Sequence, residues 1–400
     1  MKILLFFGSG ISLDSGYPCV EKINQSLRND DWWHHSDQNF YSGINPSLEL
    51  EKLSPVPYIK AFIKEIESYL NNYYAKRYDR QSLRASYEDI YYFIDSIEKD
   101  LYGVIESPTF LEYEPRLREF IATLQQNYPD LPDWLGIDSL EETCYATKQF
   151  IQSVVWENLR KPADVNIKGL DLIGELNQYK NTNKLDIVTL NHDLLIEQYL
   201  KNNKIEYFDW FSLPDENQNR FFIENFNELE TNLKNTKVTL TKPHGSINWF
   251  PIRTTKENIP RLMLLKGTYE LKDYTHITPG IMLPNFMCGS YNKIFSYGIG
   301  YYRFIQNLFI KRLWSHNTVI MSGYGWNDRG MNNHLFDWLK DTTQQNKLIL
   351  LHNEPIIELK KKSKSLLYVK ADPLIEQNKL IHIQKWLSET SLKDLQDYLN

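Results

Sequence analysis

An α/β fold built on a doubly wound parallel sheet is predicted for this chain, and three observations predict it. The first is an apolar run, Lys2–Phe7 (KILLFF), that stops at Gly8-Ser9-Gly10. A run that is apolar at nearly every position suits a strand buried on both faces of a parallel sheet. The second is the return of short β-rich runs in the later chain: Leu185–Leu190, Val238–Thr241, Thr318–Ser322, Lys347–Leu351 and Leu366–Val369. The third is the helix-length spacing between several of them, such as Asp193–Asn202 and Gly330–Gln345. Alternating strands and helices build parallel sheets, whose ligands bind beyond the carboxyl ends of the strands.

Between the first run and the others lies a helical block. Ile59, Phe62, Ile63, Ile66, Tyr69, Leu70 and Tyr73 recur at steps of three and four, the pattern of one buried helix face. Ile90, Phe93, Ile94, Ile97 and Leu101 repeat it, followed by Leu117, Phe120, Ile121 and Leu124. A fourth helix carries Phe150, Ile151, Val154, Val155 and Leu159, and prolines such as Pro55, Pro108 and Pro162 punctuate the series. The expected organisation is a Rossmann-like α/β core of residues 1–19 and 181–400, with an inserted helical domain over 20–180. The basic run Lys360–Lys364 reads as a solvated helix face.

Composition narrows the function classes. Of 400 residues, 42% are hydrophobic and 24% charged, the balance of a globular chain with a real core. Three cysteines exclude a disulfide framework and any four-cysteine zinc site, and His34-His35 lacks a metal-ligand pattern, so the expectation is no metal. A net charge of −6 argues against a general electrostatic grip on nucleic acid. The opening run is shorter than the ~7–15 apolar residues of a signal peptide core, and Asp14 and Glu21 follow it closely. No stretch approaches the ~18 apolar residues of a membrane span. The expected setting is the cytoplasm, where lone thiols stay reduced.

Five turns at strand ends carry residues with chemistry. In Gly8-Ser9-Gly10-Ile11-Ser12-Leu13-Asp14-Ser15-Gly16-Tyr17-Pro18, glycines let backbone N–H groups approach a diphosphate, and Ser12 and Ser15 add hydroxyls. The spacing matches neither the dinucleotide fingerprint nor the P-loop, and a plain strand–helix turn uses the same residues. Thr189-Leu190-Asn191-His192-Asp193 offers an amide for a hydroxyl or water and a carboxylate acceptor, although Asp193 also suits a helix cap. Lys242-Pro243-His244-Gly245-Ser246 offers a general base, or a structural histidine. Ser322-Gly323-Tyr324-Gly325-Trp326-Asn327-Asp328 is a second glycine cradle, or a turn in which Asn327 or Asp328 caps the next helix. Asn353 and Glu354, before Pro355, are candidates for ribose hydroxyls, or members of a polar loop.

Taken in order, these motifs resemble the sirtuin fold: G-x-G-x-S-x-x-S-G-x-P after the first strand, then T-x-N-x-D, then His244-Gly245, a glycine turn, and Asn353-Glu354-Pro355. The resemblance covers about residues 1–20 and 185–375. Within that superfamily the helical insert and the GYGWND and KPHGSINW segments look more like the NAD-consuming effectors of bacterial anti-phage defence. The resemblance implies that Gly8, Ser9, Gly10 and Ser12 hold the NAD pyrophosphate, with Ser15 and Gly16 shaping the pocket. It implies Asn191 beside the nicotinamide ribose, Asp193 at the carboxamide and His244 as the catalytic histidine. Gly323 and Gly325 would approach the adenosine half, and Asn353 with Glu354 its ribose.

The departures favour one activity. Protein-deacetylating sirtuins carry two CxxC pairs for structural zinc, and this chain has none. It also has Cys19-Val20-Glu21 after the motif proline, and Leu190 where the family has glutamine. What remains implies an NAD glycohydrolase that releases nicotinamide and ADP-ribose, with NAD as its substrate. Alternatives are an NAD or ADP-ribose sensor without turnover, and a zinc-less deacylase or ADP-ribosyltransferase. The resemblance further implies homo-oligomerisation and a regulatory partner, such as a hexameric helicase-like ATPase or an Argonaute-like protein.

Overall fold

The computed structural model describes residues 1–34, 40–42, 54–78, 84–104, 108–128, 140–160, 167–215, 220–254, 261–264, 277–279, 283–289, 293, 300–362 and 371–399. Its centre is a parallel sheet of seven strands: β1 (Lys2–Phe7), β2 (Lys184–Thr189), β3 (Tyr207–Phe208), β4 (Val238–Thr241), β5 (Thr318–Ser322), β6 (Lys347–Leu351) and β7 (Leu380–Ile383). Their order is β7-β6-β5-β1-β2-β4-β3. β1, β4, β5 and β6 have the bounds that their apolar runs predict, and β2 starts and ends one residue early. The predicted strand Leu366–Val369 lies outside the described residues.

Period-two alternation explains why β1 is apolar throughout. Ile3, Leu5 and Phe7 pack into one cluster, while Leu4 and Phe6 pack into another on the opposite face. The neighbours obey the same split: Ile320, Ile349 and Leu351 face the first cluster, and Val319, Met321, Leu348 and Leu350 the second. Both faces are covered by helices, so the sheet is doubly wound, as predicted.

The first face is covered by α1 (Val20–Arg28), α2 (Val56–Tyr78), α3 (Tyr87–Leu101), α4 (Pro108–Asn127), α5 (Leu140–Arg160), α6 (Asp171–Gln178) and α7 (Leu195–Asn202). α5 is the hub: it is buried nearly all round and packs on α1, α2, α3 and α4. Apolar residues of these helices and of the sheet form one continuous cluster. A further helix, α8 (Phe226–Asn235), packs Leu229 into a satellite cluster under a four-stranded antiparallel sheet that includes Trp249–Thr254 and Arg261–Leu264.

The second face is covered by α9 (Gly300–Trp314), α10 (Arg329–Lys340), α11 (Ile356–Lys362) and α12 (Ala371–Glu376). A polar knot is buried there. Asp186 of β2 pairs with Arg312 of α9 at 2.8 Å and with His316 at 3.0 Å, and accepts a hydrogen bond from Thr239 of β4. Burial raises the Asp186 pKa, but its hydrogen bond from His316 and the Arg312 charge outweigh that and hold it at about 2. Lys360 of the basic run lies on α11 and pairs with Asp372. No helix among the described residues is long and apolar enough to cross a membrane.

Register then places the site. Phe7 lies level with Thr189 of β2 and Ser322 of β5. The turns that start at Gly8, Leu190 and Gly323 therefore leave the sheet side by side, where this topology puts its ligands.

Candidate functional site

A cleft with about 190 Å³ of room opens over these turns. It brings together Gly8, Ser9, Ser12, Asn191, Asp193, His244 and Gly325 of the sequence-derived candidates. Tyr17, Pro18, Val20, Ile23, Tyr87, Glu88 and Leu159 close it from the side of the helical block. The start of α3 is fixed by a capping box: Ser86 Oγ accepts from Asp89 N–H, and Asp89 Oδ2 accepts from Ser86 N–H. Asn24 Oδ1 accepts from Tyr87 N–H at 2.8 Å, which ties that corner to α1.

Three candidates form a hydrogen-bonded relay. Asn191 Nδ2 donates to Gly8 O at 3.1 Å and to Ser12 Oγ at 2.9 Å, and Ser12 Oγ donates to Asp193 Oδ2 at 2.8 Å. Asp193 Oδ1 accepts from Leu195 N–H at 3.0 Å, a turn bond at the start of α7. Ser12 has one hydroxyl proton, so this directionality orients the whole set. Burial pushes the Asp193 carboxyl up, and the nearby Lys242 charge opposes this. Asn191 Oδ1 is buried without a hydrogen-bond partner among the described residues. An unsatisfied buried carbonyl costs ~1–3 kcal/mol, and a ligand hydroxyl in the cleft would satisfy it.

His244 is held from two sides. Its backbone carbonyl accepts from Met287 N–H at 2.8 Å. Gly245 has φ 79°, and a Cβ there would meet Asn285 O at 2.2 Å, so only glycine lets the two segments clasp. In the cleft, His244 Nε2 lies 2.9 Å from Asp328 Oδ2. Asp328 Oδ1 accepts from Met331 N–H at 3.0 Å and caps α10. The capping expected of Asp328 is therefore real, and the same carboxylate also pairs with the histidine. Burial and the Lys293 charge push the His244 pKa down, against Asp328, which favours the neutral ring. His192 is driven further down by burial and Lys293.

Two buried lysines frame the site. Lys242 Nζ donates to Asp193 O at 2.5 Å, to Glu197 Oε1 at 2.8 Å and to Ser246 Oγ at 2.8 Å, tying the two turns together from below. Lys293 lines the cleft and lies 3.3 Å from Glu88 Oε1. Neither lysine stands out in the sequence, because each gains its setting only when distant segments meet. The signal for Asp328 was visible: an acid directly after a glycine turn at a strand end.

The glycines divide by cause. A Cβ on Gly8 would meet Gly323 O at 2.5 Å, and one on Gly10 would meet Gly323 Cα at 2.8 Å. Gly323 has φ 67° and closes on Ile11 N. Gly10 N–H donates to Gly323 O at 2.9 Å. These three glycines let two backbones touch. Gly325 differs: its nearest neighbour would be Asn327 Nδ2 at 3.8 Å, and its φ is not left-handed.

A second cleft, of about 290 Å³, opens on the other side of Gly325. Tyr324 and Gly325 line both clefts, and Gly10 and Gly323 line the second. His352, after β6, and Trp386, after β7, pack there with ring centroids 4.9 Å apart. Leu13 and Trp386 are 47% and 40% exposed, a bare apolar lining. Asn353 and Glu354 follow β6, but neither lines either cleft; their neighbour His352 does. Ser15 is buried outside both, and its Oγ accepts from Lys168 N–H at 3.3 Å. Cys144 and Cys288 are buried and Cys19 half-buried, all as free thiols.

The comparisons bear on this geometry. No curated protein matches the chain. Residues 186–374 match the family model described as SIR2-like domain. The match runs from β2 through α12 and takes in Asn191, Asp193, His244 and Asp328. It supports a sirtuin-like family and, with it, an NAD-dependent enzyme.

Proposed function

We propose that the protein is an NAD glycohydrolase that breaks the nicotinamide–ribose bond. The observation that carries this reading is one cleft lined by both Asn191, with its unpartnered Oδ1, and His244, paired with Asp328. In NAD the ribose C1′ is joined to a pyridinium nitrogen. When that bond breaks, its electron pair neutralises the ring, and nicotinamide leaves uncharged. Positive charge then develops on the ribose, so the site must hold the sugar and a water without competing for that charge.

Asn191 Oδ1 accepts from a ribose hydroxyl or the attacking water. Its amide is fixed by Gly8 O and Ser12 Oγ, which keeps the acceptor oxygen pointed at one place. His244, kept neutral, takes the proton that the water or ribose hydroxyl loses as the new C–O bond forms. Asp193 accepts from the leaving carboxamide while keeping its own bonds to Ser12 and Leu195. The adenosine half crosses Gly325 into the second cleft, where the absence of a side chain leaves the passage open. Through the resemblance of its motifs, the reading extends to depletion of NAD in anti-phage defence, under control of a partner or of self-association.

The test is incubation of purified protein with NAD, alone and with the adjacent gene product, with chromatographic resolution of nicotinamide and ADP-ribose. His244→Ala and Asn191→Ala should each lower nicotinamide release by at least ~100-fold, the scale of general-base catalysis. Parental rates in both folded variants would falsify the assignment.

A further inference from the structure

Lys293 is a buried cation in the same cleft as His244, and it comes from neither the glycine turns nor the strand-end motifs. It is 7% exposed and meets Glu88 of α3 at 3.3 Å. Glu88 is itself held at the first turn of a helix whose start is fixed by the Ser86–Asp89 box and by Asn24. The pair therefore joins the helical block to the cleft. Among the described residues, the charged and titratable groups that share the cleft with His244 include Asp328 from the turn after β5, His192 and Asp193 from the turn after β2, Lys293, Glu88 and Tyr87 from α3, Tyr17, and Tyr324. Lys242, in the same turn as His244, is turned away onto Glu197 and Ser246.

We propose that the Lys293–Glu88 pair is a positioning element of the reaction, in which Lys293 keeps His244 unprotonated and Glu88 limits how strongly it does so. The proposal rests on the glycohydrolase reading for its catalytic consequence, but its electrostatic core concerns His244 alone. An ammonium beside an imidazole disfavours a second positive charge there. The carboxylate paired with that ammonium acts with the opposite sign. Because Glu88 belongs to α3, the poise of the base depends on the helical block being docked. The geometry stands by itself: the Lys293–Glu88 and His244–Asp328 pairs line one cleft. The signs of the shifts agree, since Lys293 lowers the His244 pKa and Glu88 raises it.

The two members of the pair should therefore move His244 in opposite directions. The acid limb of kcat/KM against pH reports the base in the free enzyme. Removing the cation in Lys293→Met should move that limb to higher pH. Removing the anion in Glu88→Gln should move it to lower pH, and Lys293→Arg should restore the parental limb. A pair that merely held the cleft together would give losses of rate in both variants with no displacement of the limb. NMR titration of the histidine ring resonances reads the same quantity without turnover. If no variant, nor the parent, releases nicotinamide, the glycohydrolase reading fails while opposite ring shifts still support the pair. If nicotinamide is released and the limb and ring titrations of both variants match the parent, or move together, the pair has no such role. Thermal unfolding of each variant separates these outcomes from loss of fold, and Lys293→Arg keeps the test decisive if Lys293→Met does not fold.

Discussion

Asp328→Asn is the substitution that best separates catalysis from architecture at this site. Asp328 does two things with two oxygens: Oδ2 meets His244 Nε2 at 2.9 Å, and Oδ1 accepts from Met331 N–H at 3.0 Å. Asparagine caps a helix about as well as aspartate, so its oxygen can keep the α10 bond. Its amide nitrogen then faces His244 and can only donate. The ring must offer a lone pair at Nε2 and carry its proton on Nδ1, which inverts the tautomer. The loss of a charge-assisted hydrogen bond is worth about 1.5–3 kcal/mol, which is about 10- to 150-fold in rate. Tautomer inversion adds to this, toward the ~10⁴-fold loss that the equivalent exchange causes in a Ser-His-Asp triad. The assay is nicotinamide release alongside thermal unfolding. Asp328→Asn should lose rate with little change in stability, whereas Asp328→Ala should also lose the cap, worth about 1 kcal/mol. An Asp328→Asn protein that unfolds like the parent and cleaves NAD within twofold of its rate would refute the pairing as a catalytic device.

Three further outcomes follow. Gly325→Val puts a side chain where the two clefts join and where little protein stands near. It should raise KM for NAD at least ~10-fold and leave thermal stability nearly unchanged; an unchanged KM would mean that the ligand does not cross there. Asp186→Ala strands Arg312 without its buried partner, so chemical denaturation should show a loss of about 3–5 kcal/mol, and a loss below ~1 kcal/mol would show that the knot is dispensable. The folded pKa of Asp186, at about 2, lies below its unfolded value. Its contribution is therefore present above pH ~4 and disappears as pH falls through the folded value, and Asp186→Asn should flatten that acid limb of stability.

The parts of this molecule that show in the sequence are those set by local repetition. β1, β4, β5 and β6 announce themselves because a strand covered on both faces must be apolar at successive positions. β7 does not, because it is an edge strand with a half-exposed His382, and β3 is two residues long. Among the site residues, Asn191, Asp193 and His244 are legible as polar residues at strand ends. The glycines were legible as glycines but not in their cause: the demand on Gly8, Gly10 and Gly323 comes from one backbone meeting another, far away in sequence. Lys293 and Glu88 are separated by some two hundred residues, and no spacing rule links them. Ser15 resembles Ser12 in the motif, yet it is buried outside the clefts and accepts from Lys168 N–H, while Ser12 lies in the relay.

The position of β1 at the middle of the sheet has a consequence for biosynthesis. Lys2–Phe7 leaves the ribosome well before its hydrogen-bonding neighbours, Lys184–Thr189 and Val319–Ser322. At ~5–20 residues per second, the wait for the second neighbour is roughly 15–60 s. Until Lys184–Thr189 emerges this apolar segment has two unpaired edges, and until Val319–Ser322 emerges it has one, a hazard for aggregation. The α1–α5 helices emerge during the wait and carry the apolar surface that later covers Ile3, Leu5 and Phe7. The block that walls the cleft in the finished enzyme is thus also the first surface on which its central strand can be sheltered.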